Sequence, residues 1–330
     1  MGERVAVLLT GYGEVEHYDE FTEYNERSFR LLVSKSIKFP DFTIPYLSRL
    51  LERQQRKEWH AANHYHSPHN DIFEGQRAGI EANLKARYGD SVSVYKTFNF
   101  VEPFLPEQVL AEIAADGFDK VVVYPWLVVD SVFTSGLVLE QINKALGANG
   151  DWVSDMRYLP SFWEREDFQQ RMADQIIEGI EPLLDRYPPS QIGVALCLHG
   201  CPLESKGQET GVRESTALYY AMQQRLIERF PLVSPAWMNH PVPGKWTTPD
   251  IDQAAKNLIT LGARAIVFAP IGFVTENHET QLDIGYTIGK VKDQVECVHL
   301  PVLNEDPELL RMGAEWISPL IDDLGGVPTS

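Results

Sequence analysis

Short runs of apolar and β-branched residues recur along the chain. Between them lie longer windows whose apolar residues repeat at helical spacing. The strand-like runs are Arg4–Thr10, Val92–Thr97, Asp119–Pro125, Trp152–Leu159, Ile192–Leu198, Leu232–Trp237, Arg264–Pro270 and Val295–Leu300. The helix-like windows are Gln76–Tyr88, Pro106–Asp116, Glu166–Asp185, Glu214–Phe230, Asp250–Leu261 and Pro307–Asp322. A parallel strand pair needs a crossover long enough to hold a helix, so this rhythm predicts parallel sheets with helices on both faces. Continuous apolar runs such as Lys120–Pro125 suit strands buried on both sides.

A weak internal repeat refines this. Val5–Tyr12 (VAVLLTGY) reads like Gly193–Gly200 (GVALCLHG), and Phe118–Val129 reads like Ala263–Val274. The simplest reading is an α/β chain of two similar Rossmann-like domains, each a four-stranded parallel sheet flanked by helices. The expected division is residues 1–150 and 151–330. The last helix could then pack back on the first half. In such sheets ligands bind outside the carboxyl ends of the strands. That directs attention to Thr10–Glu14, Phe98–Phe104, Leu198–Pro202 and Pro270–Asp283.

Charge and cysteine count remove several classes of function. The 330 residues carry 29 basic and 47 acidic side chains, a net charge of −18. A nucleic-acid binder needs a basic face to displace phosphate counterions, and a polybasic membrane anchor needs the same sign. No stretch approaches the ~20 apolar residues of a bilayer span. The chain runs from Met-Gly-Glu-Arg straight into a strand-like segment, with no secretory leader expected. Ala6 stands where N-myristoylation needs Ser or Thr. Three cysteines, Cys197, Cys201 and Cys297, fit a reducing compartment better than a disulfide framework. The expectation is a cytoplasmic protein.

Common catalytic signatures fail on inspection. Gly11-Tyr12-Gly13 begins like a dinucleotide fingerprint, but Glu16 would place an anion where a pyrophosphate sits. There is no Gly-Lys-Ser/Thr and no Gly-x-Ser-x-Gly, and His278-Glu279 lacks a second zinc ligand because position 282 is Leu282. Two loops keep chemical content. In Cys197-Leu198-His199-Gly200-Cys201-Pro202 a histidine ends a buried strand, where its imidazole can accept a proton, bind a metal, or serve the core. One-residue spacing makes Cys197 and Cys201 poor co-ligands. In Thr275–Asp283, a helix starting near Thr275 would put Glu276, Glu279 and Asp283 on one face. Such a line of carboxylates offers a path for protons or divalent cations, although Glu276 is also explained by the helix dipole.

Together these loops resemble the ferrochelatase family, which inserts Fe²⁺ into a porphyrin. Its His-x-x-Pro loop corresponds to His199–Pro202. Its later loop of Pro-hydrophobic-Gly-Phe-Val, then His-x-Glu-x-x-x-Asp, corresponds to Pro270–Val274 with Asn277, Glu279 and Asp283. Thr10–Gly13, Val101–Phe104, Ser67-Pro68 and the segment with Pro243, Trp246 and Pro249 match further family motifs in order, over about residues 4–320. The resemblance implies two halves around a porphyrin cleft, with a lip at about residues 40–75 in the first. It makes His199 and Glu279 the catalytic pair and places metal at His199, Glu279, Asp283 and Glu276. It puts Tyr12, Phe100 and Trp246 against the porphyrin.

An acidic chain needs local cations to hold porphyrin propionates, and Arg30, Lys35 and Lys38 precede the lip. Trp59–His69 holds four of the nine histidines, mostly as a solvated loop; His64 and His66, with His278, are further metal or haem candidates. Expected partners are a porphyrin or haem, protoporphyrin IX or coproporphyrin III, and a divalent metal, with peripheral membrane contact compatible. No prosthetic group and no Fe–S cluster are expected; Fe²⁺ is substrate. Departures stand at Glu14-Val15, Asn99-Phe100, Asn277 and Thr287. They leave room for a non-catalytic tetrapyrrole- or haem-binding paralogue, or a chelatase for another metal or tetrapyrrole, sirohydrochlorin included.

Overall fold

The computed structural model describes residues 3–17, 20–33, 35, 40–62, 64–204, 207–240 and 244–326. The strands are β1 (Val5–Gly11), β2 (Val92–Phe98), β3 (Lys120–Pro125), β4 (Asp155–Tyr158), β5 (Ile192–His199), β6 (Leu232–Met238), β7 (Ala265–Pro270) and β8 (Glu296–His299). The α-helices are α1 (Phe21–Ser28), α2 (Ile44–Ala61), α3 (His69–Tyr88), α4 (Pro106–Ala115), α5 (Ser135–Asn149), α6 (Glu166–Ile180), α7 (Val212–Leu226), α8 (Ile251–Thr260), α9 (Ile284–Val291) and α10 (Pro307–Asp323).

Two four-stranded sheets form, in the orders β2-β1-β3-β4 and β6-β5-β7-β8. Every neighbouring pair is parallel. The central strands β1 and β7 are buried along their whole length, and β5 from Ile192 to Leu198. Their apolar runs lack polar alternation because helices cover both faces. Each large apolar side chain so placed contributes about 1.5–3 kcal/mol, which is why these strands could be recognised without their partners.

The chain divides into two compact units. The first is 1–127, 131–161 and 305–330; the second is 128–130 and 162–304. The expected boundary at 150/151 therefore moves. β4 pairs with β3, Lys120 opposite Asp155, so the first sheet needs the chain to residue 158 before it is complete. Within the first unit α10 packs on α3. Gly313 lies against Trp126 and Ile80, and an added Cβ there would meet Trp126 Cη2 at 2.8 Å. The Trp126 indole N–H donates to Gln76 Oε1 at 3.0 Å, and the Tyr88 hydroxyl donates to Asp322 at 2.7 Å.

The region expected as a lip, about residues 40–75, contains a helix, α2, whose last turn takes in Trp59–Ala61 of the stretch expected as a solvated loop. Trp59, 2% exposed, seats its end edge-on against Phe21 (5.0 Å) and Tyr65 (4.8 Å). Ser67 is buried and donates its hydroxyl to Glu14. No helix among the described residues is long and apolar enough to cross a membrane.

Candidate metal centre

Three neighbouring strand ends of the second sheet build the site. His199 closes β5. Its Nδ1 lies 2.7 Å from the Gly200 carbonyl oxygen, which can only accept, so Nδ1 carries the proton. That leaves Nε2 as the nitrogen that can present a lone pair, the tautomer a backbone carbonyl commonly imposes on a metal-binding histidine.

His240 follows β6, whose Met238 pairs with His199. Gly200 N–H donates to Met238 O at 2.8 Å and ties the two strand ends together. Only glycine fits there: a Cβ would stand 2.1 Å from Asn239 Oδ1 and 2.8 Å from Met238 O. The close approach brings His240 Nε2 to 3.0 Å from His199 Nε2, with the rings edge-on at 4.9 Å.

Glu279 comes from the loop after β7. The chain does not turn helical at Thr275. Asn277 Oδ1 accepts from Thr280 N–H at 2.8 Å, Asn277 N–H donates to Thr280 Oγ1 at 3.0 Å, and the helix begins at His278. A π turn, Glu279–Asp283, then leads into α9. Such turns hold one extra residue per turn and gather at functional sites. Glu279 Oε1 lies 3.7 Å from His199 Nε2 and 3.6 Å from His240 Nε2. Its side chain is 12% exposed, against 47% for His199. Among the described residues this is the one group of three or more His, Cys, Asp or Glu whose ligand atoms lie within 4.8 Å of one another. Burial is the main cause that pushes His240 down to about 4; Glu279 opposes this, while His199 and His278 add to it. The ring is thus neutral, and with the His199 lone pair on Nε2 it is His240 Nε2–H that donates across the 3.0 Å contact.

Of the sequence candidates, His199 and Glu279 meet here. Trp246 is close by, its ring 6.0 Å from that of His240, and Phe273 lies 6.5 Å from His199. Glu276 and Asp283 are not in the group. Because the helix starts later than expected, Glu276 precedes it and turns inward. Its Oε1 accepts from Val302 N–H at 2.9 Å, and Oε2 accepts from the Thr280 hydroxyl. It braces the loop. Burial raises the Cys197 thiol and pushes Cys201 up to about 11, so neither supplies a thiolate. His278 sits at the helix start beside Glu279.

The first-unit candidates have other surroundings. Tyr12 donates its hydroxyl to Phe133 O at 2.8 Å and packs at 5.3 Å on Phe100, which also meets Tyr24. Lys35 pairs with Glu140. Arg30 lines, with Arg27, Lys144 and Trp152, a pocket of about 430 Å³. Lys38 lies outside the described residues. His64 packs on His60 at 4.6 Å and His66 on His17 at 4.8 Å, with no third ligand in either pair among the described residues. Sequence reasoning missed His240. The rule that ligands gather at strand ends would have found it, had β6 been known to lie beside β5.

The ferrochelatase family model matches residues 4–319. The chain belongs to the ferrochelatase family. A ferrochelatase of Synechococcus elongatus is 27% identical over 317 residues, covering 93% of this chain and 80% of that one. One from Gloeothece citriformis is 26% identical over 330 residues, covering 95% and 82%. Among solved structures, SirB from Bacillus subtilis with Fe³⁺ superposes with a TM-score of 0.55 at 14% identity, covering 96% of this chain and 94% of that one. The sirohydrochlorin chelatase SirB of Bacillus subtilis subspecies spizizenii, in complex with cobalt, gives 0.50 at 9% identity, covering 98% and 95%. These likenesses agree with the two-domain Rossmann-like chelatase fold.

Proposed function

We propose that this family member is a metal chelatase that inserts Fe²⁺ into a porphyrin, protoporphyrin IX or coproporphyrin III, in haem biosynthesis. The carrying observation is the aim of His199: its lone pair faces the Glu279 carboxylate at the edge of the sheet where family motifs expect both. Each turnover takes a free-base ring with two inner N–H groups and a divalent cation. It returns the metallated ring and two protons. A neutral imidazole accepts an inner proton as the ring nitrogen turns its lone pair to the metal, and a carboxylate carries the second away. A ring held out of plane exposes those lone pairs, so binding the bent form favours the transition state. The reading gives ring contact to Trp246, whose ring lies 6.0 Å from that of His240.

The test is anaerobic insertion of Fe²⁺ and Zn²⁺ into a panel of free-base tetrapyrroles, followed by absorption. His199→Ala and Glu279→Gln are expected to abolish turnover while leaving the fold intact. Full turnover in both variants would refute the assignment.

A further inference from the structure

We propose that His240 is a third metal ligand, and that His199, His240 and Glu279 form a ready-made seat which holds the substrate cation before any tetrapyrrole arrives. The proposal rests on the reading of this site as a metal chelatase centre and deepens it. Three ligand atoms converge: His199 Nε2, His240 Nε2 at 3.0 Å, and Glu279 Oε1 at 3.7 and 3.6 Å from them; without a cation the His240 Nε2–H donates to His199 Nε2, and a cation between them takes that proton's place, the proton of His240 moving to Nδ1. Those separations define a point about 2.0 Å from all three atoms, the bond length of imidazole and carboxylate to a first-row divalent cation. A cation a few tenths of an ångström out of that plane keeps all three bonds and leaves one face open. Two imidazoles with one carboxylate suit Fe²⁺, Zn²⁺, Co²⁺ and Ni²⁺. The span is too tight for Ca²⁺, whose bonds run about 2.3–2.6 Å, and the nitrogen donors disfavour Mg²⁺.

The seat also gives the reaction a simple exchange. As the dication passes from the three ligands to four ring nitrogens, the two displaced ring protons find the ligand atoms just vacated. The local charge is unchanged, two protons replacing one dication, and both protons then pass to water.

Co²⁺ alone, added to the full chain without tetrapyrrole and followed by its visible absorption, tests this. One Co²⁺ should bind per chain, displaced by Zn²⁺ and not by excess Ca²⁺. His240→Phe should weaken Co²⁺ by more than the roughly 10- to 100-fold that loss of an outer partner costs, and His240→Asp should recover part of that loss. Equal affinity in His240→Phe and wild type, or no Co²⁺ uptake by wild type, would overturn the seat. If the Phe variant unfolds, nitrogen NMR of the wild-type imidazoles with Zn²⁺ decides: His199 and His240 Nε2 must both shift, and an unmoved His240 overturns the proposal. The two readings fail separately. Insertion without prior Co²⁺ binding removes the seat and keeps the chelatase; Co²⁺ binding through all three ligands with no insertion into any tetrapyrrole removes the chelatase and keeps the seat.

Discussion

Replacing Gly200 by alanine probes how the centre is assembled. The new Cβ would sit 2.1 Å from Asn239 Oδ1, 2.8 Å from Asn239 Cα and 2.8 Å from Met238 O. Carbon prefers such neighbours at about 3.5 Å or more. The side-chain amide is not free to leave, because Asn239 Nδ2 donates to Thr247 O at 2.9 Å. The two backbone atoms can retreat only by parting the ends of β5 and β6, by roughly 0.7 Å, which strains the Gly200 N–H bond to Met238 O. Overpacking of this kind costs about 1–3 kcal/mol. Alanine also stiffens the unfolded chain, which returns about 0.4–1 kcal/mol, so the clash wins. At about 2–4 °C per kcal/mol for a unit of this size, the melting temperature should fall by several degrees. Thermal melts followed by tryptophan fluorescence measure this, and Co²⁺ affinity should drop with it because His240 follows Asn239. Adding Asn239→Ala removes the 2.1 Å contact but not the backbone ones, so it should restore only part of the stability. A Gly200→Ala protein that melts at or above wild type and binds Co²⁺ unchanged would refute the account of how the two loops meet.

Other expectations are as direct. Gly313→Ala drives a methyl into Trp126, which is 1% exposed and pinned by Gln76, and should cost about 1–3 kcal/mol in thermal unfolding. Glu276→Ala strips the acceptor from Val302 N–H and the Thr280 hydroxyl; denaturant melts should show a loss of about 1.5–3 kcal/mol. Burial lowers the folded-state pKa of both His240 and His299. Protons therefore bind the unfolded chain first, so stability should hold above about pH 6.5 and decline as pH falls toward the folded values. His299→Phe should flatten that decline in unfolding experiments run from neutral to acid pH.

Strands were far more legible than the helices that cover the N-terminal half. All eight expected runs became strands, since a strand buried on both faces announces itself in consecutive residues. α2 went unseen because its buried positions, Ile44, Ser48 and Trp59, are few and one is polar. α5 begins Ser-Gly-Leu-Val-Leu, a run that reads equally as loop or strand until Val138 and Ile142 are seen packed under the sheet. His199 and Glu279 were legible because each lies in an ordered motif. His240 was not, because its meaning depends on which strand neighbours β5, a long-range fact. Glu276 misled because helical spacing was counted from Thr275, three residues before the turn that the Asn277 and Thr280 bonds permit.

Strand pairing carries one more consequence. In the first sheet Thr10 pairs with Pro125, and in the second Cys197 pairs with Pro270. Two residues beyond the first member of each pair stand Tyr12 and His199. They occupy equivalent register positions in the two sheets, one residue shifted from the alignment of the sequence repeat, yet one carries a phenol and the other an imidazole. The same register position thus presents a phenol bonded to Phe133 O in one sheet and an imidazole bonded to the Gly200 carbonyl in the other. For engineering, this makes Tyr12 the natural place to install an imidazole at the register position that His199 holds in the second sheet.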